Sequence, residues 1–137
     1  KNIAFGLSDS DIDDLKVASA LKIAQLDDFI KNLPEGVQTL VGERGVRISG
    51  GQRQRIGIAR ALYHQPEIIF FDEATSALDN QTEAELMQSI EALHGNVTLV
   101  MIAHRLSSIM NCDRVYRLKN GRIIEQGVPA AILKEGA

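Results

Sequence analysis

Ile68-Ile69-Phe70-Phe71-Asp72-Glu73 sets four apolar residues, β-branched and aromatic, against two acids. Such a run, opening just after Pro66, predicts a short buried strand. Leu86, Met87, Ile90 and Leu93 then recur at helical spacing. Asn80 and Glu83 are placed to cap that helix, and Gly95 is placed to end it. Val97 to Ile102 predicts a second strand, closing near His104. Strand, helix and strand at this spacing make a βαβ unit, so the two strands are expected to be parallel. Ligands of open parallel sheets lie outside the carboxyl ends of the strands. Asp72, Glu73 and His104 are therefore expected at one rim.

Downstream, Val115–Leu118 and Ile123–Glu125 flank Asn120-Gly121, which predicts a β-hairpin. Upstream, Ser49-Gly50-Gly51-Gln52 has the S-x-x-Q form of a capping box. A helix is expected to run from it through Ile56, Ala59 and Tyr63 to a stop at Pro66. Gly57 inside that helix suggests close approach of another backbone. Residues 37 to 48 read as irregular. Leu26, Phe29, Ile30 and Leu33 form a helical stripe stopped by Pro34 and Gly36. Asp9, Asp11, Asp13 and Asp14 crowd the start of a further helix, where the positive end of the peptide dipoles favours acids.

The chain has 137 residues, 45% hydrophobic and 24% charged, which fits a globular domain rather than a disordered one. Its single cysteine, Cys112, allows no internal bridge, excludes a disulfide scaffold and favours a reducing compartment. The longest apolar run, Leu99 to Ala103, is too short to span a bilayer, and no signal peptide is expected. A net charge of -3 weighs against general nucleic-acid binding. No repeat, low-complexity tract or domain-splitting linker is evident.

An acid pair at the end of a buried strand needs a compensating cation or donor. Magnesium supplies one, taking one or two carboxylates with phosphate oxygens. Asp72 could then serve the metal while Glu73 activates a water, with His104 contacting a phosphate oxygen. The plainer alternative has Asp72 capping a turn, Glu73 solvated and His104 satisfying local backbone. Gly50-Gly51 opens a helix whose N–H groups could receive an anion, or it could be a flexible cap alone.

Together these stretches resemble ABC-type ATPases. Ile48-Ser49-Gly50-Gly51-Gln52-Arg53-Gln54-Arg55 resembles the signature sequence, with Ile48 where the family usually has leucine. Ile68 to Glu73 resembles the Walker B strand, Ser76-Ala77-Leu78-Asp79 the D-loop, and Ile102-Ala103-His104-Arg105 the switch-histidine loop. Asn2-Ile3-Ala4-Phe5-Gly6 and Thr39-Leu40-Val41-Gly42-Glu43-Arg44-Gly45 resemble segments of ABC exporters. No G-x-x-x-x-G-K-[ST] occurs, so the chain is expected to be the C-terminal part of a longer ATP-binding domain. The implied fold is α/β: a P-loop NTPase-like parallel sheet core lacking the Walker A strand, an N-terminal helical subdomain and a C-terminal β-hairpin. Residues 7–48 would form the helical subdomain and pre-signature loop, and residues 49–137 the rest.

The resemblance implies roles by position. Asp72 would help bind Mg2+, mostly through water; Glu73 would be the general base and His104 would contact the γ-phosphate of ATP. Ser49, Gly50 and Gln52 would bind the γ-phosphate held by a second ATP-binding domain, with Gly51 permitting the approach, and Asp79 would lie at the dimer seam. The dimer could be homo- or heterodimeric. Partners would include a transmembrane domain, met by the segment from Asp9 to Leu33 and the loop around Glu43, at the cytoplasmic face of a cell or inner membrane. The chain alone is expected to be catalytically inactive. Two other functions stay open: a non-transport ABC-type ATPase of DNA repair or chromosome organisation, and a non-catalytic interaction module.

Overall fold

The computed structural model describes residues 1–42, 45–72, 78–93, 95–102 and 109–132. They belong to two compact units, Lys1–Val100 and Met101–Ala137. In the first, α1 spans Asp14–Ile23, α2 Asp27–Lys31, α3 Gly50–Tyr63, β1 Ile68–Asp72 and α4 Asn80–Glu91. Strand β2, Thr98–Ile102, pairs with β1 in a parallel two-stranded sheet. In the second, β3 (Val115–Lys119) and β4 (Arg122–Gly127) form an antiparallel hairpin followed by the short helix α5, Pro129–Ile132. The expected α/β architecture is present, with the βαβ crossover made by α4.

Local chemistry sets the ends of these elements. Asp13 caps α1 by accepting from the N–H groups of Leu15 and Lys16. The chain leaves α1 through a Schellman turn: Leu26 N–H donates to Leu21 O and Gln25 N–H to Lys22 O. The turn residue, Gln25, has φ +56°, a left-handed conformation held here without glycine. Asn120 and Gly121, at φ +49° and +72°, close the hairpin, matching the turn expected from Asn-Gly. In the loop ahead of α3, a Cβ on Gly45 would sit 2.0 Å from the carbonyl oxygen of Leu40, so only glycine fits there.

The core of the first unit gathers Ala20, Leu21, Ala24 and Leu26 with Ile56, Ala59 and Leu62 of α3 and Leu86 and Ile90 of α4. Tyr63 is buried, and its hydroxyl accepts from the Asp13 N–H at 3.0 Å, joining the start of α1 to the end of α3.

Three expectations need correction. Strand β1 alternates in burial: Ile69 and Phe71 are buried, whereas Ile68 is 52% and Phe70 75% exposed. Among the described residues the strand is covered on its Ile69 and Phe71 face only. Gly57 is exposed, with nothing within 4 Å of an added Cβ among the described residues, so no described backbone approaches it. Helix α4 is capped by Asp79 rather than by Asn80, and Glu83 is buried in its first turn.

Candidate functional site

The N-terminus of α3 is built as the sequence pattern predicts. Ser49 Oγ accepts from the Gln52 N–H at 3.1 Å, and Gln52 Oε1 accepts from the Ser49 N–H at 2.8 Å. A helix start leaves four N–H groups without intrahelical partners. The reciprocal box satisfies those of Ser49 and Gln52, leaving the Gly50 and Gly51 N–H groups without an intrahelical partner. The first intrahelical bond follows at Arg53, whose N–H donates to Ser49 O at 3.0 Å.

The electrostatics of this end differ from those of the other long helices. Helix α1 carries Asp14 in its first turn and α4 carries Glu83, but α3 has no acid there. No acid of its own first turn therefore neutralises its positive dipole end. Backbone N–H groups without intrahelical partners, glycines that permit close approach and a first turn free of acids together suit an anion such as a phosphate.

Asp72 is exposed at the carboxyl end of β1. Among the described residues no three His, Cys, Asp or Glu side chains gather as a metal-binding group, so no all-protein cage is formed there. A carboxylate at this position suits magnesium, which keeps waters and phosphate oxygens in its shell. Glu73 and His104 lie outside the described residues, so the expected meeting of Asp72, Glu73 and His104 at one rim is not part of this geometry.

Asp79 occupies the N-cap of α4. It accepts from the Thr82 N–H at 3.0 Å and from the Thr82 hydroxyl at 2.7 Å. The backbone bond from Thr82, and then the hydroxyl bond, hold its carboxyl below the usual value of 3.8. The cap thus accounts locally for an aspartate that the motif alone ties to a dimer seam.

Sequence reading missed one set of contacts. Arg55 of α3 donates through Nη1 to the Gln25 carbonyl, and Gln25 Nε2 donates to Ser89 Oγ of α4 at 2.6 Å. The turn between α1 and α2 is thereby bonded to both α3 and α4. No local pattern marks Gln25, since its partners lie 30 and 64 residues away.

A family model described as ABC transporter matches residues 5–76. The chain is 47% identical over 133 residues to an ATP-dependent lipid A-core flippase of Cupriavidus pinatubonensis, covering 96% of this chain and 22% of that protein. It is 43% identical over 135 residues to multidrug resistance protein pgp-1 of Caenorhabditis elegans, covering 98% of this chain and 10% of that protein. Among solved structures, a bacterial Atm1-family ABC exporter with ATP bound aligns with 99% of this chain at a TM-score of 0.87 and 43% identity. That alignment covers 23% of the exporter chain. The chain therefore spans about a fifth of the length of the flippase and of the solved exporter.

Proposed function

The chain belongs to the ABC transporter family, and from that premise we propose that it is the C-terminal part of the ATP-hydrolysing domain of an exporter. The observation that carries the reading is the start of α3, where a reciprocal cap leaves two glycine N–H groups without intrahelical partners in a first turn that carries no acid. In the complete protein, two such domains face each other head to tail. The Ser49–Gln52 end of one meets the γ-phosphate of ATP held by the other, and Asp79 lies at the seam between them.

Ser49 has a double duty in this scheme. Its Oγ uses one lone pair on the Gln52 N–H, which leaves its hydroxyl proton and remaining acceptor capacity for the phosphate side. The Gly50 and Gly51 N–H groups stabilise negative charge without reorganising, because the helix already fixes their direction. Glu73 holds the attacking water and takes its proton. His104 hydrogen-bonds the γ-phosphate and keeps it in line. Asp72 would hold Mg2+ largely through water, and the ion neutralises phosphate charge when bound. Positioning and electrostatics dominate such phosphoryl transfer to water.

Without a phosphate-binding loop of the G-x-x-x-x-G-K-[ST] type, residues 1–137 alone are inactive in this reading. The intact protein works at the cytoplasmic face of a membrane, where closure of the paired domains drives a transmembrane partner between its two orientations. The test is MgATP hydrolysis by the full-length protein carrying Glu73→Gln. Turnover is expected to vanish while ATP binding persists; turnover at the parent rate would remove Glu73 from the base role and with it this reading.

A further inference from the structure

Helix α3 has to be held against its neighbours if its N-terminal end is to meet a phosphate. Hydrophobic packing holds α1 against α3, and the polar contacts around Gln25 add directional bonds to it. Its carbonyl receives Arg55, five residues beyond Gly50 and so about 8 Å along the axis from the glycine-opened end of α3. Its side-chain amide reaches Ser89 Oγ at 2.6 Å, and Ser89 Oγ in turn donates to Glu85 O at 3.0 Å. Helix α4 is the same helix that Asp79 caps at its other end. One residue thus bonds to the signature helix through its backbone and to the D-loop helix through its side chain.

One feature marks the arrangement as specific. Among the described residues Arg55 Nε is buried without a hydrogen-bond partner, although the same guanidinium reaches the Gln25 carbonyl. The left-handed φ of Gln25, +56°, belongs to the Schellman turn that ends α1, and Gln65 just past α3 shares it at +49°.

We propose that Gln25 is a positioning residue for the phosphate-facing end of α3: it locks α3 and α4 in one register through Arg55 and Ser89. The proposal rests on the functional reading above. Gln25 touches no nucleotide, so its loss lowers the rate of the closed pair of domains without weakening the initial capture of ATP.

The experiment uses the full-length protein, with ATPase kinetics and thermal unfolding measured in parallel. Gln25→Gly keeps the carbonyl for Arg55 and relieves the left-handed strain but removes the amide. Its unfolding temperature is expected to stay level or rise, while kcat falls about fivefold and KM for MgATP stays within about twofold. Ser89→Ala is expected to give the same fall and Ser89→Thr, which keeps the hydroxyl, to retain the parent kcat. The double variant Gln25→Gly/Ser89→Ala is expected to be no slower than either single one, because both break one bond. Unchanged kcat in Gln25→Gly and Ser89→Ala, or effects that multiply in the double variant, would overturn the proposal. Undiminished turnover in Glu73→Gln would instead defeat the functional reading, so the two failures are told apart.

Discussion

Replacing Ser49 by alanine and by aspartate separates its service to the helix from its service to the phosphate. Alanine deletes the acceptor that holds the Gln52 N–H at 3.1 Å and opens the capping box. Loss of such a cap costs about 1 kcal/mol, which in a complete domain of about 150–250 residues lowers the unfolding temperature by about 2–4 °C. Aspartate caps as well as serine, so Ser49→Asp is expected to unfold at or above the parent temperature, helped by the dipole of α3. Under the proposed function the same carboxylate would face a γ-phosphate bound over Gly50 and Gly51. At an effective dielectric constant of about 20, one unit of like charge about 5 Å away costs about 3 kcal/mol, or roughly two orders of magnitude in rate. Thermal unfolding and MgATP turnover of the full-length protein read the two effects separately. Ser49→Asp hydrolysing ATP at the parent rate would refute the phosphate assignment. Ser49→Asp melting as low as Ser49→Ala would refute the cap.

Gly57→Ala is expected to raise stability by about 0.5–1 kcal/mol in chemical denaturation, since the added methyl meets nothing within 4 Å and the helix gains from the loss of glycine. The lowered pKa of Asp79 means that its contribution is fully present above the unfolded-state value near 3.8 and is lost as pH falls through the folded value. Asp79→Asn, which can still cap, is therefore expected to match the parent near neutral pH and to lose less stability than the parent on acidification, as followed by circular dichroism. Phe70→Thr is expected to reduce light scattering by the isolated 137-residue chain, because Phe70 is a 75% exposed aromatic on a strand.

The features legible in the sequence are those whose partners lie a few residues away. The Ser49–Gln52 box closes within one helical turn, and Asn120-Gly121 closes within two residues. The βαβ order followed from periodicity, which burial imposes along a single element. The features that escaped depend on what lies across space. Gly57 would look the same in sequence whether it met a backbone or solvent. Asp79 outcompeted Asn80 as the cap because its carboxylate reaches both the N–H and the hydroxyl of Thr82, a choice set by where the turn enters α4. Gln25 showed nothing, since its bonds to Arg55 and Ser89 arise only when three helices are assembled. Of the candidate site, the start of α3 and the position of Asp72 are structural facts, while Glu73 and His104 belong to residues not described.

Strand β1 shows why burial was harder to read than strand formation. Apolar residues at both phases of a strand are written for a sheet covered on both faces, as parallel sheets almost always are. Ile69 and Phe71 have their cover, whereas Ile68 and Phe70 are exposed, as are Val100 and Ile102 on β2. Fully burying side chains of this kind is worth about 1.5–3 kcal/mol each. The sequence of β1 thus encodes more burial than the described residues provide, which agrees with a chain that matches only about a fifth of the flippase and of the solved exporter. The start of α3 differs: its cap is complete and its first turn carries no acid, the arrangement on which the proposed phosphate contact rests. The exposed face of β1 thus bears on folding, whereas the start of α3 bears on the proposed function.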